Sequence, residues 1–231
     1  MAPEDLRALG AQNWRRGSAE TKAPFDCGGS LSILATGLMA RYRLSRSGER
    51  QSVALILPGD ICDYSLVTGV QPHTRVAALT RSTFLQLPAG DAVPMFERFP
   101  AILASVLAQL SIDQAVTEEL LFSLGHRTAL ERSAHLLCEL EFRLRRMGLS
   151  SEGRFRLSMT QAEIGHHLGL TAVHVNRTMQ ELRRRELITT NGAVVGLPDL
   201  IKLQWLADFA PDYLTGTARR EAAAPSGSGR H

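Results

Sequence analysis

Between Phe25 and about Ala92, apolar and polar residues alternate in short stretches broken by turn residues. Leu38, Ala40, Tyr42 and Leu44 fall on one side of such a stretch and Arg41 and Arg43 on the other, the period-two pattern of a half-buried strand. Ser47-Gly48-Glu49 interrupts it. Val53, Leu55 and Leu57 alternate again before Pro58-Gly59-Asp60 turns the chain, and Thr83 to Leu87 forms another short strand ahead of Pro88. The pattern predicts an antiparallel β-roll or jelly-roll. It is preceded by a short helix from Pro3 to Arg16 with Leu6, Leu9 and Trp14 as its apolar residues.

After Pro94 the period lengthens to that of a helix, predicted from Pro100 to Leu124. Leu103, Val106, Leu110, Asp113, Thr117, Leu120 and Leu124 recur at three/four spacing, a coiled-coil-like seam in which Asp113 is a polar interruption that can set register. Ile102, Leu107 and Leu121 lie outside the seam and are assigned to contacts with the chain's own roll. A parallel homodimer follows from this reading; a long helix buried within a monomer is the alternative. Gly125 breaks the pattern and is the hinge candidate. A second helix is expected from about Thr128 to Met147, with Ala134, Leu137, Leu140 and Leu144 apolar.

The stretch from Thr160 to Ile188 carries the most specific signal. Thr160 and Glu163 have capping-box spacing, and Gly169 stands where the chain must turn with a positive φ. Thr171 can cap a second helix, in which Val175, Met179 and Leu182 form one buried stripe. The opposite face offers Ala172, Val173, His174, Asn176, Arg177 and Gln180, followed by Arg184, and Gln161 joins them from the first helix. These side chains reach base edges or phosphates when the second helix enters a major groove, so the unit reads as a helix-turn-helix whose partner is double-stranded DNA. Leu187, Ile188, Asn191-Gly192, Val194 and Val195 predict a small hairpin, the wing. Leu200 to Phe209 reads as a last amphipathic helix beside that wing, with Leu203 and Leu206 inward.

Charge supports a polyanion partner. The chain of 231 residues has a net charge of +3, yet eleven arginines against seven acidic residues lie between His126 and Thr190, so the excess is local. Cys27, Cys62 and Cys138 lack C-x-x-C spacing and indicate neither a disulfide framework nor a cysteine metal site. His166 and His167 are adjacent, about 100° apart on a helix, and cannot form an i,i+4 metal pair. With no nucleophile triad, phosphate-cradling loop or zinc signature, no catalytic residue and no metal site are assigned. No uninterrupted apolar run approaches the roughly 18 residues of a membrane span, and the N-terminus lacks a secretion-signal pattern, which predicts a cytoplasmic protein without membrane contact.

Taken in order, these parts make an α+β chain: residues 1–98 as N-terminal helix and β-roll sensor, 99–125 as dimerisation helix and hinge, 126–214 as winged helix-turn-helix, and 215–231 as a disordered tail. This order, the LTAVHVNR core and the turns Gly37-Leu38 and Leu57-Pro58-Gly59-Asp60 resemble the CRP/FNR family of bacterial transcription regulators over about residues 25 to 197. The resemblance implies a homodimer that binds a palindromic promoter site, contacts RNA polymerase and is governed allosterically, without catalysis. It also implies differences. Where the family's recognition helix presents an acidic residue with Arg four positions later, this chain has Val173 and Arg177, so its half-site should depart from the family's. Where cAMP binders of the family carry Gly-Glu and Arg-Ser pairs, it reads Asp63-Tyr64 and His73-Thr74, with Arg75 displaced by one, which argues against cAMP. Gly59, Asp60, Asp63, Tyr64, His73 and Thr74 are then the effector-pocket candidates. The oxygen-sensing branch requires an N-terminal cysteine cluster; none precedes Cys27, which argues against an iron–sulfur cluster. No cofactor is expected, with haem on His73 left as a minor alternative. The competing functional reading is a small-molecule sensor or adaptor whose helix-turn-helix contacts another protein.

Overall fold

A computed structural model describes residues 2–215. The chain begins with α1 (Pro3–Gly10) and enters the roll through β1 (Arg15–Ala19), β2 (Pro24–Phe25), β3 (Ser30–Thr36), β4 (Met39–Leu44) and β5 (Arg50–Ile56). A single-turn α2 (Ser65–Thr68), β6 (Arg75–Ala78) and β7 (Ser82–Pro88) complete it. Two antiparallel sheets, ordered β1-β7-β3 and β2-β6-β4-β5, form the roll. Leu34, Met39, Cys62 and Ala78, all fully buried, share the core cluster that joins residues of both sheets. The predicted strands stand, with one correction at the N-terminus. Arg15 and Arg16, expected in the first helix, pair with Gln86 and Leu85 as part of β1, and α1 stops at Gly10. Their charged side chains hid an edge strand that carries almost no alternation.

The roll is followed by α3 (Ala89–Arg98), α4 (Pro100–His126) and α5 (Ala129–Arg146). Gly125, the hinge candidate, lies within α4, and the helix ends two residues later, at Arg127 and Thr128. Thr128 caps α5 through a box with Glu131, while Arg127, itself buried, donates to Glu119 at 2.6 Å and to the Asp208 carbonyl at 3.2 Å. A capped start and a buried cation fix this corner more firmly than one glycine could loosen it.

The face assignment of α4 is also corrected. Ile102 and Val106 are buried in the cluster beneath the roll, with Leu103 and Leu110 packed against it. Asp113 accepts a hydrogen bond from Tyr64 Oη at 3.0 Å. Most of the expected seam therefore turns inward; Leu120 and Leu124 are half-buried, and Thr117 is exposed. Ala104, Leu107, Ser111, Gln114, Glu118, Leu121 and Gly125 repeat the same three/four spacing one residue on, and all are exposed. Leu107 is 44 %, Leu121 71 % and Phe122 46 % exposed, the reverse of the own-roll contacts assigned to Leu107 and Leu121. By length and composition α4 could cross a membrane, with an 18-residue window of mean hydropathy 1.2 of which 11 % is buried. Uninterrupted apolar runs do not reveal it, because Ser105, Gln109, Ser111, Asp113 and Gln114 break each run while the apolar residues between them keep the mean positive.

Beyond α5 come β8 (Ser150–Ser151), β9 (Arg154–Arg156), α6 (Gln161–Leu168), α7 (Ala172–Arg184), β10 (Thr189–Asn191), β11 (Val194–Gly196), α8 (Leu200–Ala207) and α9 (Asp212–Thr215). The wing is a sheet of order β10-β11-β9-β8 rather than one hairpin. Helix α8 packs on α5, not beside the wing, with Leu203 fully buried. Thr215, assigned to the tail, is the last residue of α9; the remainder of the expected tail lies outside the described residues.

Candidate nucleic-acid interface

Capping and close packing set the reader's geometry. Thr160 Oγ1 accepts from Glu163 N at 3.2 Å, and the Glu163 carboxylate accepts from Thr160 N at 2.7 Å, so the start of α6 is closed on itself. At its end Gly169 adopts φ 63°, and Leu170 N donates back to the Gly165 carbonyl. A Cβ at Gly165 would stand 2.4 Å from the Leu170 carbonyl oxygen, so only glycine lets this turn press onto its own helix. Thr171 Oγ1 then accepts from His174 N at 3.2 Å to start α7.

Val175 and Leu182 of α7 are fully buried, and Thr178, which periodicity does not single out, is buried as well and bonded to Ser133 of α5 at 2.9 Å. Deep burial of the two apolar side chains contributes about 1.5–3 kcal/mol each. This fixes the rotation of α7, so the opposite face is presented outward. Ala172, Val173, His174, Arg177 and Gln180 are exposed there and Asn176 is half-buried. Asn176 donates to Gln161 Oε1 at 3.3 Å, joining the two helices at the rim of a shallow groove of about 310 Å³ lined by Gln161, Ala172, Val173, Asn176, Arg177 and Gln180. The structure thus gathers six of the proposed DNA-contacting residues on one surface. Thr160, Thr171 and His174 stand at the adjoining caps, where His174 Nδ1 lies 3.1 Å from Thr171 Oγ1.

Arg184 is differently placed. It forms two bonds to Glu181, at 2.8 and 2.7 Å, and Arg185 adds a third at 2.7 Å. These two guanidiniums hold the Glu181 carboxyl down at about 2, so it stays charged at any working pH. Replacing it should release both arginines for phosphates. We expect Glu181→Gln to tighten DNA binding several-fold irrespective of sequence, and to steepen the salt dependence by about 0.9 for each phosphate newly engaged. Anisotropy titrations over a salt series measure both; an unchanged slope would contradict the prediction.

Three of the effector-pocket candidates, Asp60, Asp63 and Tyr64, are engaged by other groups of the chain. Asp60 accepts from Leu57 N at 2.7 Å and from Arg143 Nη2 at 2.5 Å, and Arg143 also donates to the Leu55 carbonyl and to Glu139. Burial alone would lower the Arg143 pKa, but Asp60 and Glu139 outweigh it and hold the guanidinium protonated. The Gly59-Asp60 turn is therefore a latch onto α5. Asp63 accepts from Ser65 N and Oγ at the start of α2, and Tyr64 holds Asp113 of α4. His73 is exposed and Thr74 half-buried on the loop before β6. Sequence spacing could not reveal the latch, because its cation comes from more than eighty residues further along the chain.

A second contact between roll and reader joins Gln51 Nε2 to the His167 carbonyl at 3.2 Å. His167 itself is buried and its Nδ1 has no partner. Burial drives its imidazole down to about 4, with Glu139 pulling it up and Arg143 pushing it down. In the unfolded chain a histidine titrates near 6.5, so between about pH 6.5 and 4 the unfolded state takes up the proton first. This contribution to stability is complete above about pH 6.5 and is lost as pH falls through that window, by up to about 3 kcal/mol. Denaturation at pH 7 and pH 4.5 should show it, and His167→Leu should remove most of the difference; a variant with the wild-type pH dependence would contradict this assignment.

No group of three or more His, Cys, Asp or Glu side chains that could hold a metal ion occurs among the described residues. Cys27 and Cys62 lie in the roll core and Cys138 in α5, and burial pushes each thiol up to about 12. Protonated thiols divided between two cores do not fit an iron–sulfur cluster.

Comparison with known proteins agrees with this geometry. The Crp-like helix-turn-helix domain matches residues 131–206. The chain is 29 % identical to the "Transcriptional activator protein Anr" of Pseudomonas protegens over 88 % of its own length and 85 % of that protein's. It is 26 % identical to the "Anaerobic regulatory protein" of Pasteurella multocida, over 75 % of this chain but only 63 % of that one. Among solved structures, FixK2 from Bradyrhizobium japonicum superposes with a TM-score of 0.76 at 23 % identity, covering 85 % of this chain and 98 % of that one, which establishes a shared fold.

Proposed function

We propose that this chain, a DNA-binding transcription regulator of the CRP/FNR family and not an enzyme, acts as a homodimer that reads a two-fold symmetric promoter site with the exposed face of α7. The observation that carries the proposal is the pairing of two exposed surfaces: a groove lined by Val173 and Arg177, and a seam on α4 that leaves Leu107 and Leu121 exposed among small and polar residues. Pairing of the α4 seams would cover the apolar window without a membrane and would set two reader helices about a dyad. That supports a cytoplasmic protein. The division into sensor, dimerisation helix and reader follows the same logic, with the boundary after α4 moved to Arg127. Contact with RNA polymerase is carried over from the family.

Arg177 supplies bidentate donation to guanine, and Val173 supplies an apolar contact suited to a thymine methyl in place of an acidic reader of cytosine. The sensor is proposed to have given up the family's cAMP site, since Asp63 and Tyr64 bind within the chain and His73 stands on an exposed loop. The same isolation of His73 disfavours haem. Light scattering of the free protein, followed by titration of a selected duplex, tests the assembly. The proposal expects a particle of twice the 25.3 kDa chain mass and two chains per duplex; one chain per duplex at saturation would overturn it.

A further inference from the structure

Beside the latch of Asp60 and Arg143, the roll and the reader leave a cavity of about 350 Å³ between them. Leu38 and Leu57 of the roll line one side of it, and Leu140 and Leu144 of α5 line the other, with Leu157 and Met159 beyond β9. Each wall is fixed within its own unit. Leu38 N donates to Thr80 Oγ1 at 2.9 Å, and Leu157 N donates to the Ala193 carbonyl at 2.8 Å. The latch sets the distance between the walls, because Arg143 of α5 bonds both Asp60 and the Leu55 carbonyl, on either side of Leu57.

Small-molecule sites have volumes of about 300–1,000 Å³, are lined mostly by apolar side chains with a few polar groups, and favour domain boundaries. Here the polar groups define what can bind. Thr80 is engaged by Leu38, and Thr36 by Thr83 at 2.7 Å. Arg156 and Ser158 remain: the guanidinium of one and the hydroxyl of the other form no hydrogen bond or ion pair among the described residues. None of the described residues lining the cavity is a carboxylate. Arg156 is exposed and Ser158 half-buried, so a free cation stands at the opening with buried leucines behind it. A nucleotide would lose water from its sugar and base without gaining partners for them. An unbranched apolar chain ending in a carboxylate matches both parts, since arginine takes a carboxylate through two parallel bonds and the chain displaces water from the leucines. We propose that this cavity binds a medium-chain carboxylic acid, and that the acid is the effector of the regulator. Its walls belong to two units, so the bound acid favours the arrangement in which they face each other and thereby biases how the roll holds the reader. The effector role rests on the reading of this chain as a DNA-binding regulator; the binding site does not.

Calorimetric titration with hexanoate, octanoate and decanoate tests the site, with 1-octanol as the uncharged control. One acid is expected per chain, with affinity rising about fourfold for each added methylene until the cavity is full. Octanol should bind about tenfold more weakly than octanoate, and Arg156→Ala should weaken octanoate by a similar factor. Arg156→Lys, which keeps the charge, should retain most of the affinity. Leu149 lines the same cavity and is 51 % exposed, so Leu149→Trp should fill the opening and abolish binding while the unfolding midpoint without acid stays as in wild type. Saturating octanoate should change affinity for the selected duplex several-fold, the duplex should change octanoate affinity by the same factor, and Leu149→Trp should remove this response. Several acids per chain, or binding that neither Arg156→Ala nor Leu149→Trp alters, would assign the acid to the exposed seam of α4 and overturn the proposal. Octanol binding as tightly as octanoate would overturn it too, as would acid binding that leaves duplex affinity unchanged. Selection of no DNA motif would instead count against the reader, with the titrations still deciding the acid site.

Discussion

A Leu121→Asp substitution is expected to split the dimer and to lower affinity for a complete symmetric site by about 10²- to 10⁴-fold. Leu121 is 71 % exposed in the single chain and lies on the free seam of α4 with Leu107 and beside Phe122. Covering a leucine of this kind contributes about 1.5–3 kcal/mol per chain, and both chains contribute it. An aspartate loses that gain and, in a parallel pairing, faces its own copy as a like charge. Once the chains separate, each reader binds one half-site without the other to hold it near, so affinity falls by the effective-concentration factor. Sedimentation and anisotropy at matched concentrations measure the two effects. A Leu121→Asp protein that stays dimeric would contradict the proposed seam. Leu120→Asp is the informative contrast: Leu120 is half-buried against its own chain, so its replacement should destabilise the fold before it weakens association.

Arg177→Ala is expected to cost about 1–3 kcal/mol at one base pair of each half-site and to leave the remaining positions unchanged. Arg177 is exposed on the groove and forms no ion pair within the described chain, so its five donors are free to pair with guanine O6 and N7. Arg184→Ala should behave differently, with a small and uniform loss, because Glu181 already engages that guanidinium. Val173→Glu would restore an acidic acceptor four residues before Arg177 and should move preference at one position toward cytosine, whose N4 amino group it can meet. A binding panel with every single-base change in the site separates these outcomes. Arg177→Ala weakening all sequences equally would mean that the residue holds phosphate and does not read a base.

Legibility in the sequence follows how local each determinant is. The reader is legible almost residue by residue: both caps, the glycine turn and the buried stripe of Val175 and Leu182 are set within a few positions of one another. The long helix is legible too, but its free seam lies one residue later than the spacing suggests. Helix α4 carries two apolar stripes, one through Ile102, Leu103 and Val106 and one through Leu107, Leu121 and Phe122, and periodicity alone cannot tell which faces the roll. Arg15–Ala19 escapes detection because its charged edge residues leave little alternation, and Arg154–Arg156, an inner strand that does alternate, because three residues are too few to show a period. The Gly59-Asp60 turn is visible as a turn, but its bond to Arg143 of α5 is not, because the partner lies so far along the chain.

Selection from a random DNA pool at moderate salt, followed by sequencing of the bound fraction, tests the central claim most directly. The account predicts a two-fold symmetric motif whose half-sites lie about one or two helical turns apart, with one position in each half that Arg177→Ala relaxes. Enrichment of no motif, with binding that only follows salt, would contradict it and leave the helix-turn-helix as a surface for another protein.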